Sequence, residues 1–414
     1  RGVRLIGQGE TPKPARGARI FVYGESSAAG SPWGPWASFA RSLEEQLKAL
    51  ARPGVDIEVM NFGVSAIASD RAALLVEWTM EEDPDLIIVY LGHNEICERR
   101  PIGSGTGRWS SALERRSMVY RVLRLKLARR PPWPAEPFAA AVCDDVPTLT
   151  GDEKRQLTDD YAQNIDLIID SARSAGAVVV LMSQVSNMLM PPGGTHNEAA
   201  LRFHKGLNAL RRGDGAAARR FLADAVDLDD QPRRFRTAQK EVLAARADAR
   251  RGVFFVDSAR HVTERAEHGI LDWRFVIDLM HPNVTTQKLL AESLLTGFFL
   301  RERWKEDSFD YSRYDSRLLW RWKPSAAQYF MACERYFRES VPKGSKTVDP
   351  RVCLAAARAD LDSASDVDEQ RQARRLWEFL WVYGNDRKDR EALAEAERLL
   401  ATPSLWERVE PGFP

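Results

Sequence analysis

At 414 residues the chain is too long for one small module, and the length prior suggests two or three domains. Its 44% hydrophobic and 29% charged residues exclude a disordered or collagen-like chain. With 60 Lys and Arg against 59 Asp and Glu there is no global field for nucleic acid, so an electrostatic partner would have to meet a local patch. No run approaches the roughly 18 apolar residues of a membrane-spanning helix. The chain starts at Arg1 rather than Met, which leaves open a membrane anchor upstream and an extracytoplasmic location. Cys97, Cys143, Cys333 and Cys353 are scattered and form no C-x-x-C pair, so they read as idle thiols rather than a zinc site or a disulfide framework.

The first half alternates strand and helix signals. Residues 18–23 are a short apolar strand ending at Gly24, and 36–50 carry a helical stripe through Trp36, Phe39, Leu43, Leu47 and Leu50. A strand at 56–61 precedes Gly63, a helix follows at 66–81, and 85–91 is a fully apolar run between Pro84 and Gly92. The unit repeats as a helix at 155–175, a strand at 177–185 and a strand at 252–257. Such alternation predicts a parallel sheet with helices on both faces.

Two stretches interrupt it. Residues 99–134 are rich in Arg and close on Pro131, Pro132 and Pro134; they read as a solvated helical face, or as a basic lid for an anionic lipid or glycan. Residues 196–250 read as almost wholly helical. Gly206, Ala209, Ala218, Leu222 and Ala225 have the small-residue spacing of one tetratricopeptide-like hairpin. A lone hairpin cannot form a solenoid, so it is expected to roof or wall a pocket. Beyond 305 the strand signals stop, and helices with Trp320, Trp322, Trp377, Trp381 and Trp406 continue to 414. This predicts an α/β domain over 1–304 and a helical region over 305–414 able to hold a protein partner.

Ligands in open parallel sheets bind at the carboxyl ends of the strands, and polar clusters fall there: GESSAAG from Gly24, NFG from Asn61, GHNE from Gly92 and DLMH from Asp278. Each is weak alone. Together they supply a nucleophile, a base, an acidic partner and anion-binding donors. The set resembles the SGNH, or GDSL-like, hydrolase superfamily over about 18–302, and the helical additions resemble a bacterial subset whose members often carry an N-terminal membrane anchor. Glu25 and Glu95 stand where the family has Asp; neither position belongs to its catalytic set.

The resemblance implies a three-layer flavodoxin-like core and a serine-dependent acyl-ester hydrolase. Ser26 would be the nucleophile, His281 the base and Asp278 the residue that orients the imidazole. The backbone N–H groups of Ser26 and Gly63 and the Asn94 amide would form the oxyanion hole. Ser27 would aim elsewhere in a tight turn. His93 should point away from Asn94, and His204, His261 and His268 read as surface or packing residues; His196 could line the pocket. Met188, Leu189 and Met190 are candidate acyl contacts, with packing beneath the hairpin an equal alternative. No cofactor or metal motif is visible. The expected substrate is an acylated small molecule, glycan or peptide. An acyltransferase using the same residues and a non-catalytic helical scaffold are the alternatives.

Overall fold

The computed structural model describes residues 13–316 apart from 15, 32, 97–145, 194–197, 273–274 and 277. The four cysteines, the basic segment at 99–134, His196 and the part of the expected helical region past 316 lie outside the described residues. Strands β1 (Gly17–Gly24), β2 (Asp56–Gly63), β3 (Leu86–Tyr90), β4 (Val178–Met182) and β5 (Val253–Val256) form one parallel sheet in the order β2-β1-β3-β4-β5. This is the flavodoxin-like doubly wound order.

Alternate strand residues feed two cores because the side-chain period of a strand is two. On one face Ile20, Val22, Leu86, Ile88, Val180 and Met182 meet Leu43, Leu47, Leu290 and Leu294 from helices α2 (Phe39–Leu50) and α9 (Val284–Leu294). On the other face Phe21, Tyr23, Ile87, Val89, Val179 and Leu181 meet Ala72, Val76, Ile165 and Ile168 from α3 (Ser69–Thr79) and α4 (Gly151–Ser174). Three layers result, and strands buried on both sides explain the continuous apolar runs.

Local chemistry sets the helix ends. Ser38 accepts the Arg41 N–H and starts α2 at Phe39, later than the stripe from Trp36 implied, because Pro35–Ala37 form a separate 3-10 turn. The capping box of Thr150 and Glu153 starts α4 four residues before 155.

The helical stretch after β4 divides differently from the sequence reading. Helices α5 (Glu198–Arg211) and α6 (Gly215–Leu228) form the expected hairpin. Its core is Phe203, Ala209, Ala218, Leu222 and Ala225 with Ile270. Gly206 permits the close crossing, since a Cβ there would lie 2.7 Å from Leu222. The next helix, α7 (Thr237–Ala245), belongs to the α/β unit. Phe235 and Leu243 join the core on the α4 face, so α7 supplies the crossover that parallel β4 and β5 require. The insertion is therefore the hairpin alone, not 196–250.

The boundary at 304 also moves. Phe309 and Tyr311 pack in the same core as α2 and α9, and the Asp310 N–H donates to the Leu50 carbonyl at 2.8 Å. The α/β unit thus continues past Tyr311, because these rings cover the end of α2. Among the described residues no helix is long and apolar enough to cross a membrane.

A buried ion pair ties the segment between α6 and α7 to the loop after β4. The Arg234 guanidinium donates to the carbonyls of Asn187 and Met190 at 3.1 and 2.8 Å and faces Asp229 at 3.5 Å. Asp229 also accepts the N–H groups of Gly193 and Gln231. Removing one partner leaves an uncompensated charge in the interior. Arg234→Leu is expected to lower stability in urea denaturation by about 3–5 kcal/mol; a loss under about 1 kcal/mol would mean the pair carries no such burden.

Candidate active site

Ser26 opens the four-residue helix α1 (Ser26–Ala29) at the carboxyl end of β1. As the first helical residue its N–H has no acceptor within the helix. The turn is compressed onto the neighbouring strands. A Cβ at Gly24 would lie 2.4 Å from the Ala28 side chain and 2.6 Å from the Tyr90 carbonyl oxygen. Gly30 ends α1 in the left-handed region at φ +88°, the usual role of glycine after a helix.

The DLMH segment lies against this turn. Ser26 Oγ stands 2.8 Å from His281 Nε2, and His281 Nδ1 stands 2.6 Å from Asp278 Oδ2. Asp278 Oδ1 accepts the N–H groups of Met280 and His281 at 2.9 and 2.8 Å. The carboxylate thus uses one oxygen to close its own loop and the other to hold the imidazole. Nδ1–H then points at Asp278, leaving Nε2 as the acceptor for the Ser26 hydroxyl proton. Burial pushes Asp278 up, but the His281 ring and these N–H donors outweigh it and hold the carboxyl well below its usual range.

Neighbours fix the loop from the outside. Ser27 Oγ donates to the Met280 carbonyl and Trp33 Nε1 to that of Pro282, both at 2.9 Å. Gln287, on α9, donates to the Ser27 carbonyl at 2.9 Å. Ser27 therefore braces the loop carrying His281 while Ser26 faces the ring.

The third cluster is buried at the end of β3. Asn94 Nδ2 donates to the Ile67 carbonyl at 3.4 Å, and its N–H donates to Glu25 Oε1 at 3.1 Å. The His93 ring is turned into the protein. Its Nδ1 accepts the Phe235 N–H at 3.0 Å, and burial first, then the nearby His281, push its pKa down to about 3. His93 is therefore neutral near pH 7 and packed against the chain leading into α7. Gln239, on α7, donates to the Gly92 carbonyl at 2.7 Å.

Gly63, expected to lend its N–H to a developing charge, packs against α1. Its N–H donates to Asn61 Oδ1 at 2.9 Å, and a Cβ there would lie 2.4 Å from Ala29 N. The backbone that approaches Gly63 is that of α1. Asn61 completes the joint by donating to the Ala28 carbonyl at 2.8 Å. The nearby turn holds Ala66 at φ +59°, an uncommon conformation for a residue with a Cβ.

Met188 and Leu189 are partly buried and pack against the hairpin core. The Met188 N–H is bound to the Leu271 carbonyl at 2.7 Å, and Met190 offers its carbonyl to Arg234. The segment beneath the hairpin is tied to the loop that carries Asp278 and His281. The Asn187 N–H donates to Leu279 O at 3.1 Å, and Asn187 Nδ2 to Val276 O at 2.9 Å. His261 faces Glu292, and His268 lies against Gly215.

Sequence reasoning passed over Glu25 and Glu95. Burial pushes Glu95 up to about 8, and it accepts from Ser69 N–H and Oγ at 3.1 and 2.6 Å, so it holds the start of α3. The available signal was the substitution of Glu for Asp in both blocks. Among the described residues no group of His, Cys, Asp and Glu could hold a metal ion.

Fold and site together define a parallel α/β protein with a serine, a histidine and an aspartate hydrogen-bonded in sequence at the carboxyl edge of its sheet. No family model matches the chain, and no curated protein matches it by sequence. Solved structures similar to it include that of TesA, at 17% identity over 67% of this chain and 96% of that one, with a TM-score of 0.35. A second is a putative lipolytic protein of the G-D-S-L family from Desulfitobacterium hafniense DCB-2, at 12% identity over 67% and 97% of the two chains, with a TM-score of 0.34. A third is Axe2, an acetylxylan esterase from Geobacillus stearothermophilus, at 15% identity over 69% and 95%, with a TM-score of 0.34.

The contact between Gly63 and α1 gives a direct test. Gly63→Ala must displace the nucleophile turn, at a cost of about 1–3 kcal/mol. Thermal melting should show the loss, and ester turnover should fall with it. An unperturbed variant would return Gly63 to a role toward substrate alone.

Proposed function

We propose that the chain is a serine-dependent hydrolase of the SGNH type that cleaves an acyl ester through an acyl-enzyme. The observation that carries this reading is the hydrogen-bonded series Ser26 Oγ, His281 and Asp278, with both links under 3 Å. A serine hydroxyl is a poor nucleophile until a base takes its proton, and a neutral imidazole locked in the Nδ1–H tautomer does that near pH 7.

In the first half-reaction Ser26 Oγ bonds to the ester carbonyl carbon as its proton passes to His281 Nε2. Asp278 stabilises the resulting imidazolium. The carbonyl oxygen gains negative charge and is met by the Ser26 N–H and the Asn94 amide. The tetrahedral intermediate collapses, the C–O bond to the leaving group breaks, and His281 returns the proton to the departing alkoxide. Water then repeats the sequence in reverse, releasing the acid and restoring the Ser26 hydroxyl. An ester of a small molecule, glycan or peptide is the substrate class. The hairpin and the loop beneath it wall the rim and bias which acyl or alcohol portions fit.

Ser26→Ala is expected to abolish turnover of p-nitrophenyl acetate while melting like the wild type, and a fluorophosphonate should label Ser26. Asp278→Asn should lower kcat by about 10⁴-fold, because the amide favours the wrong imidazole tautomer. Labelling at Ser27, or near-normal turnover by Ser26→Ala, would refute the assignment.

Replacing the hairpin at 198–228 with a short linker, leaving Asp229, Arg234 and α7 in place, is expected to change the preference among acetyl, butyryl and octanoyl esters. Fluorophosphonate labelling should change less. Unchanged preference in a stable variant would remove the hairpin from substrate selection.

A further inference from the structure

The turn that carries Asn94 is built around a carboxylate. Gly92 has φ +140°, a region open in practice to glycine alone. With that geometry the N–H groups of Gly92 and Asn94 converge on one atom, Glu25 Oε1, at 2.7 and 3.1 Å. Backbone N–H groups converging in this way form an anion-binding nest. Glu25 is completely buried, and its other oxygen faces Gln184 Nε2 at 3.4 Å. Burial pushes its carboxyl up to about 7 against the pull of the Gly92 and Asn94 N–H donors. A buried carboxyl is costly unless it is hydrogen-bonded, and here its strongest bonds go to the turn bearing Asn94.

Glu25 immediately precedes Ser26 and is the N-cap of α1. One side chain therefore connects the backbone of the nucleophile turn to the backbone of the Asn94 turn. Other contacts brace that turn from behind: Gln239 on the Gly92 carbonyl, Tyr161 on the Leu91 carbonyl at 2.9 Å, and the Phe235 N–H on His93. Glu25 alone among them spans to the residue beside the nucleophile.

We propose that Glu25 is a positioning residue that sets the Asn94 amide relative to Ser26 by holding the Gly92 and Asn94 N–H groups. The proposal rests on the hydrolase reading, since the Asn94 amide has a developing charge to meet only in that chemistry. It also explains the glutamate. An aspartate at position 25 is shorter by one carbon–carbon bond, about 1.5 Å, and cannot keep both N–H bonds without moving one turn toward the other. A glutamine has the same length and retains an acceptor oxygen for both.

The test compares the full chain with Glu25→Gln, Glu25→Asp and Glu25→Ala. Two quantities are read: kcat and KM for p-nitrophenyl acetate, and hydrogen exchange of the peptide spanning residues 90–96. Glu25→Asp and Glu25→Ala are expected to lose about 100-fold in kcat, the scale of a roughly 1 Å misplacement, with KM little changed. Exchange at Gly92 and Asn94 should quicken in both variants. Glu25→Gln should keep most of kcat and the slow exchange. Unchanged exchange in Glu25→Asp, or a Glu25→Gln as inactive as Glu25→Ala, overturns the proposal. A wild-type chain inactive on every ester sinks the hydrolase reading instead, and the exchange comparison still decides whether Glu25 holds the Asn94 turn.

Discussion

The two oxygens of the Asp278 carboxylate do different work, and the site depends on that division. Oδ1 binds the N–H groups of Met280 and His281, which folds the DLMH segment into a fixed turn. Oδ2 holds His281 Nδ1 and so directs Nε2 at Ser26. A buried carboxylate is tolerated when its oxygens are bonded in this way. The loop cannot swing because Ser27 and Trp33 grip its carbonyls and Asn283 caps α9 directly after it, accepting the Thr286 N–H at 2.8 Å. Sequence proximity of Asp278 and His281 makes the pair local, and the parallel sheet brings Ser26 to it across 255 residues of chain.

A second level of order comes from close backbone approach. Strands β1 and β2 end in register at Gly24 and Gly63, and both positions lack a Cβ because α1 lies against them. The turn that carries Ser26 is pressed onto the strand ends rather than hung above them. Around it the rim is tied to chain segments far away in sequence. Phe235 and Gln239 bind the His93 turn, and Arg234 binds the loop after β4. The crossover into β5 is thereby part of the wall of the site, while the hairpin of α5 and α6 sits on the same loop through Met188 and Leu189. The crossover and the hairpin thus meet the same loop from adjacent but separable segments.

Much of this was legible in the sequence because its causes are local. Apolar runs gave the central strands β1, β3 and β4, since burial on both faces leaves no room for polar alternation. Four polar clusters gave Ser26, Gly63, Asn94, Asp278 and His281 as candidates. The missing helix start at Gly151 was also written locally, as Thr150 followed by Glu153. Other features were not recoverable because their partners are remote. A glycine reveals that something comes close but not what, so the contact of Gly63 with α1 could not be read from it. Helical periodicity in 196–250 could not separate the hairpin from α7, because both bury an apolar stripe and differ only in what covers it.

Rapid-quench mass spectrometry of the wild-type chain mixed with p-nitrophenyl acetate tests the central claim most directly. The account predicts an acetyl adduct that forms within the first turnover, maps to Ser26, and disappears as acetate is released. Acetylation mapping to Ser27 or another residue, or steady turnover with no protein-bound acetyl group, would contradict it.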